Sequence, residues 1–129
     1  MSRILVVDDD ETFLRPLCQT LLCAGHEVLA AADGSAALKL YRQQPVDLVI
    51  TDLVMPEKEG IETMMELRQL QPDLKIIAMS GGGYIHCTDY LQIARRLGAN
   101  RTLAKPFTAQ ELIEAVTSLL VEEAKPVEL

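Results

Sequence analysis

Four short stretches carry side chains that could do chemistry together: Asp8-Asp9-Asp10, Asp52, Ser80 and Lys105. Carboxylates brought close to one another repel, and one of them takes up a proton unless a cation sits among them. A hard divalent ion with oxygen ligands answers that repulsion, and Mg²⁺ favours one or two carboxylates, several waters and a phosphate oxygen over a full protein cage. A lysine adds a point charge able to pair with Asp52 or with an incoming phosphoryl oxygen, and a serine adds a neutral hydroxyl donor. Such parts suit phosphoryl transfer, in which positioning and charge neutralisation do most of the work. Asp52, between the acidic side and the lysine side, is the best-placed nucleophile, and its product would be an acyl phosphate. All of this requires a fold that brings the four stretches to one place.

The elements that must do so alternate strand and helix. Arg3–Val7 is a short run rich in β-branched residues, suited to a strand buried on both faces. Thr12 to Ala24 carries apolar residues at Phe13, Leu14, Leu17, Cys18, Leu21 and Leu22, a helical stripe closed by Gly25. Pro16 within it should bend the helix or shift its first turn. Glu27–Ala32 reads as the second strand, ending at Asp33-Gly34, and Ser35 to Gln43 as a helix burying Ala36, Ala37, Leu40 and Tyr41. Val46–Thr51 is the third strand and ends at Asp52. A helix over Ile61–Leu70 follows, then a fourth strand over Lys75–Met79 that runs into Ser80.

Gly81-Gly82-Gly83 reads as a hinge. A fourth helix spans about Thr88 to Leu97, and Arg101–Ala104 is a short fifth strand. Thr108 and Glu111 form a capping box for a last helix whose apolar face is Leu112, Ile113, Val116, Leu119 and Leu120. From Val121 the chain turns charged, so residues 1–121 read as one domain and 122–129 as a tail. Five such units predict a doubly wound five-stranded parallel sheet with helices on both faces. In that α/β architecture, ligands bind beyond the carboxyl ends of the strands, where Asp8-Asp9-Asp10, Asp52, Ser80 and Lys105 all fall. Asp10 is also suited to capping the first helix.

Composition narrows the function classes. With 129 residues the chain makes one domain, and 12 basic against 19 acidic residues leave it at −7. A phosphate backbone repels such a surface, and Arg95, Arg96 and Arg101 are the one hint of clustered positive charge, so direct nucleic-acid binding is not expected. No apolar run approaches the roughly 18 residues of a membrane span, and no signal peptide is evident, which points to a cytoplasmic protein. Cys18, Cys23 and Cys87 match neither a redox pair nor a zinc knuckle and read as reduced apolar fillers. His26 and His86 read as solvated, and Met55, Met64, Met65 and Met79 as core or near-core.

The stretches Ile4-Leu-Val-Val-Asp-Asp-Asp10, Asp47-Leu-Val-Ile-Thr-Asp-Leu-Val-Met-Pro56 with Gly60, Ile77-Ala-Met-Ser80 and Lys105-Pro-Phe107 together resemble the receiver domain of bacterial two-component response regulators. The resemblance covers about Ser2 to Leu120. It implies a flavodoxin-like sheet of order 2-1-3-4-5, the chemotaxis-type receiver fold. Asp52 resembles the phosphoacceptor, which receives its phosphoryl group from a sensor histidine kinase or phosphotransfer protein. Asp9 would bind Mg²⁺ directly and Asp8 mainly through water, with Asp52 and the backbone carbonyl of Val54 as further ligands. Ser80 resembles the switch hydroxyl and Lys105 the lysine that contacts the phosphoryl oxygen, with Lys105-Pro106 in the cis form. The signal would leave through the face built from the fourth helix, the fifth strand and the last helix to a downstream protein, without turnover of a substrate.

Three departures from the family's pattern bear on that relay. Thr102 stands where an aromatic is common, so an aromatic rotamer flip is not expected as the readout. Val54 and Gly82 are small and non-ionic at positions that influence how water reaches an acyl phosphate. Ser80 and Lys105 are 25 positions apart, a few more than in compact receivers, which points to a mobile, specialised loop over Gly81–Thr88. Other readings are an aspartyl phosphatase, which would want an acid where Val54 stands, and a flavodoxin-like cofactor binder, whose phosphate Asp8-Asp9-Asp10 would repel. A non-phosphorylated pseudo-receiver, or a receiver excised from a hybrid kinase or longer regulator, completes the set. With about ten residues beyond the last helix, no effector domain is expected to follow.

Overall fold

β1 (Arg3–Val7), β2 (Glu27–Ala31), β3 (Leu48–Asp52), β4 (Lys75–Ser80) and β5 (Arg101–Ala104) form one sheet in the order β2-β1-β3-β4-β5. This is a computed structural model, and it describes residues 2–53, 60–81, 92, 95, 96 and 98–124, with 122–124 described by backbone alone. Every strand pair is parallel. Parallel neighbours need crossovers, and these are supplied by α1 (Glu11–Cys23), α2 (Gly34–Gln43) and α3 (Gly60–Leu70); a C-terminal helix (Ala109–Ala124) closes the described chain. Gln92, Arg95 and Arg96 are helical, within the stretch expected to hold the fourth helix. The doubly wound five-stranded sheet of the expected order is therefore the fold, and each strand lies within two residues of its expected span.

Strand alternation sorts the core into two layers. Leu5, Val7, Val49, Ile76 and Ala78 point to one face and pack with Ala37, Leu38 and Tyr41 of α2 and Met64 and Leu67 of α3. Ile4, Val6, Leu48, Ile50, Ile77 and Met79 point to the other, against Leu17 and Leu21 of α1 and Leu112, Val116 and Leu119 of the C-terminal helix. Burying a side chain of this kind stabilises by about 1.5–3 kcal/mol, so both layers fix the sheet that carries the site.

Some helical details differ from expectation. α1 starts at Glu11 and continues through Pro16 without a break. Its stripe is narrower than six positions, because Leu22 is 55% exposed. In α2 the inward arc takes in Leu38, which lies outside the expected set, while Ala36 and Leu40 are half-buried. Met64 and Met79 are buried, but Met65 faces outward. The capping box forms as expected: Glu111 N donates to Thr108 Oγ1 at 3.0 Å and Thr108 N to Glu111 Oε1 at 2.9 Å. The C-terminal helix runs to Ala124, three residues past Val121, because the charged stretch Glu122-Glu123-Ala124 still favours helix. Among the described residues no helix is long and apolar enough to cross a membrane.

Candidate functional site

β1 ends at Val7, and the next residue continues the sheet: Asp8 N donates to Ala31 O at 3.1 Å. Asp8 is then turned back by its own chain, its Oδ1 accepting from Asp10 N at 2.9 Å. Asp10 takes the other role foreseen for it. Its Oδ1 accepts from Thr12 N at 3.0 Å and Thr12 Oγ1 at 2.6 Å, which caps α1 and leaves Asp8 and Asp9 as the acidic pair. The bond from the Thr12 hydroxyl, above all, holds the Asp10 carboxyl below its ordinary range.

Asp52 closes β3 and is paired in register with Met79 of β4. Its backbone carbonyl accepts from Thr51 Oγ1 at 3.0 Å. α3 begins directly against that carbonyl. A Cβ on Gly60 would lie 1.8 Å from Asp52 O, so glycine is required there for the backbone to approach. Ser80 closes β4, buried, and Lys105 N donates to its carbonyl at 2.8 Å. Gly81 permits this second close approach, since a Cβ there would meet Lys105 Cβ at 2.3 Å. The peptide Lys105-Pro106 is cis, as the resemblance implied. Val54 lies outside the described residues, as do Gly82, Gly83, His86, Cys87, Thr88 and Met55.

The strand ends thus bring Asp8, Asp9 and Asp52 together, one oxygen of each lying within 4.8 Å of the others. Asp8 and Asp52 are buried and Asp9 is exposed, so the cluster opens to solvent on one side. Lys105 reaches in, but its nearest partner is Asp8 rather than Asp52: Nζ lies 2.7 Å from Asp8 Oδ2 and 3.5 Å from Asp52 Oδ1. Burial pushes the Asp52 carboxyl up from 3.8 to about 6, opposed by the Lys105 charge and reinforced by Asp8 and then Asp9. Three carboxylates facing one ammonium leave an excess of negative charge, two of the three groups buried. That donor set fits a small, hard divalent cation with open positions for water and a phosphoryl oxygen.

Sequence reasoning missed one neighbour of this pocket. Phe13, assigned to the apolar stripe of α1, has its ring centroid 4.2 Å from Lys105 Nζ. Phe107 meets it edge to face, centroids 5.5 Å apart at 86°. Helical periodicity places Phe13 on the inward face of α1 but does not encode which side chain crosses that face.

A doubly wound parallel sheet with acidic, hydroxyl and lysine groups at the ends of four strands defines a class of phosphate-handling domains. Within it, the family model described as response regulator receiver domain matches residues 4–117. The chain is 31% identical over 121 residues to the response regulator receiver protein CpdR of Brucella abortus, covering 94% of this chain and 98% of that protein. It is 35% identical over 128 residues to the DNA-binding transcriptional regulator NtrC of Azospirillum brasilense, covering 99% of this chain but 26% of that protein. A receiver domain protein of Clostridium thermocellum superposes with a TM-score of 0.88 at 31% identity, over 96% of this chain and 98% of the other. The chain belongs to the response regulator receiver domain family, the signalling modules of two-component systems. It spans nearly the whole of one relative and about a quarter of another.

Proposed function

We propose that Asp52 is the phosphoacceptor of this receiver. The observation that carries the reading is the convergence of Asp8, Asp9 and Asp52 within 4.8 Å, with Lys105 reaching both buried members. Asp9 and Asp52 would hold Mg²⁺, Asp8 mainly through water, with the carbonyl of Val54 as a further ligand, and the ion would supply neutralisation of the transferred group's oxygens. One Asp52 carboxylate oxygen attacks the donor phosphorus in line. A P–O bond forms, the P–N bond of a phosphohistidine on a sensor kinase or phosphotransfer protein breaks, and the imidazole leaves. Lys105 pairs with one oxygen of the product and the Ser80 hydroxyl donates to another.

The module then acts as a cytoplasmic switch and not as a turnover enzyme. Its receiver unit is residues 1–121, with 122–129 as an appendage. The downstream protein docks on the face that includes β5 and the C-terminal helix. Support for a changed readout there comes from Thr102, whose Oγ1 accepts from Arg95 Nη2 at 3.2 Å in place of an aromatic contact. Incubation with a small acyl-phosphate donor, with and without MgCl₂, followed by intact mass, tests the chemistry. One phosphoryl adduct that needs Mg²⁺ and is lost in Asp52→Asn is the expected result. No adduct on the wild type, or an undiminished one on Asp52→Asn, sinks the reading.

A further inference from the structure

The phosphoacceptor reading assigns a part to every polar group of the pocket but none to the aromatic ring beside it. Phe13 stands in the first turn of α1, with Lys105 Nζ over its ring at 4.2 Å. The face of a phenyl ring carries partial negative charge and attracts an ammonium. Phe107, two residues beyond Lys105, holds the ring edge to face, and both rings pack against the core layer of Leu17 and Leu112. Lys105 is therefore held from two sides, by the ring and by Asp8 Oδ2 at 2.7 Å, with Asp52 farther off. Asp8 Oδ1 already accepts from Asp10 N, which leaves Oδ2 as the Asp8 oxygen with more capacity for an entering cation, and Lys105 sits on it.

We propose that Phe13 is a positioning residue that holds the Lys105 ammonium on Asp8 when no cation is bound, making Lys105 an internal competitor for the cation site. Cation entry at the acidic cluster then moves Lys105 off Asp8 toward Asp52, where the phosphoryl group is to be received. The proposal rests on Asp8, Asp9 and Asp52 forming the cation site. Two consequences separate it from a packing role for the ring. Losing the ring alone must tighten the cation site, since the competitor is less firmly held. That tightening must also depend on Lys105.

The test uses the whole chain. In the divalent-free wild type, the ε-methylene protons of Lys105 should show an upfield ring-current shift that relaxes as MgCl₂ is added to saturation. Mg²⁺ affinity is then measured by calorimetry for wild type, Phe13→Met, Lys105→Met and the double variant. Phe13→Met should tighten binding about 3-fold or more, from the usual strength of a cation–π contact whose lysine is largely shielded from water. Lys105→Met should tighten it on the order of 10-fold, from loss of a like charge at contact distance. Adding Phe13→Met to Lys105→Met should change nothing further. An equal change in both backgrounds means that the ring merely shapes the pocket, and overturns the proposal. So does unchanged or weakened affinity in Phe13→Met, or unshifted Lys105 protons in the wild type. Phe13→Leu replaces Phe13→Met if the latter does not fold. A wild type without Mg²⁺ affinity overturns the cation site and this proposal together, whereas intact affinity without coupling overturns this proposal alone.

Discussion

Asp52 lies where burial and two neighbouring carboxylates all disfavour its charged form, and a single ammonium 3.5 Å away offsets only part of that. Its folded-state value of about 6 stands above the ordinary 3.8, so between those values the folded chain holds a proton that the unfolded chain releases. Stability contributed by this group falls as pH rises through that window, and the cost is complete above it. A neutral amide in place of the carboxyl carries no such cost. Without divalent ions, Asp52→Asn should therefore be more stable than wild type at pH 7 by about 1–2 kcal/mol, allowing for solvent screening. Urea unfolding should show that gap closing as pH falls toward 4; a gap that is absent, or grows in acid, contradicts the assignment. The convergence of Asp8, Asp9, Asp52 and Lys105 was legible because each ends or closely follows a strand, and strand ends can be read from apolar runs and their breaks. The preference of Lys105 for Asp8, and the ring of Phe13 beneath it, depend on side-chain directions that no spacing encodes.

At the level of elements, the strand-to-helix joints decide whether the site forms. The N-terminus of α3 sits against the end of β3, with Gly60 N donating to Leu53 O at 3.0 Å. Because a Cβ on Gly60 would overlap the Asp52 carbonyl, Gly60→Ala should destabilise the fold by about 3 kcal/mol or more. It should also displace Asp52 and slow its phosphorylation; denaturant midpoints and labelling rates check both. A second joint ties α3 to the entry of β5. Arg68 donates to Pro72 O, Gly98 O and Asn100 Oδ1, and Asn100 Oδ1 also accepts from Ile76 N at 2.9 Å. Strand spans were readable because buried parallel strands are continuous apolar runs. β3 begins at Leu48 rather than Val46 because Asp47 pairs with Arg3, its N donating to Arg3 O and its Oδ2 accepting from Arg3 N. Helix faces were less readable: Leu22 and Met65 are apolar yet exposed, since hydrophobicity alone does not say how wide a buried arc the sheet can cover.

For the whole molecule, the order β2-β1-β3-β4-β5 matters most, because it sets β1 beside β3 and β3 beside β4 and so puts the acidic pair, Asp52 and Ser80 in sequence along one edge. Alternation of strand and helix predicts a parallel sheet covered on both faces but leaves its strand order open; the order was what the family resemblance implied. The charge of −7 was a guide to what the surface repels, whereas the functional charges are a local excess at the strand ends. Residues 54–59 and 82–91, which hold the expected Val54 ligand and most of the expected loop specialisation, lie outside the described residues. The central claim is that a phosphoryl group resides on Asp52. Borohydride reduces an acyl phosphate to an alcohol, so treatment of the Mg²⁺-phosphorylated chain should convert one aspartate to homoserine, located by peptide mass mapping. Conversion at Asp52 is the predicted result; conversion at Asp8, Asp9 or another carboxylate, or none, contradicts it.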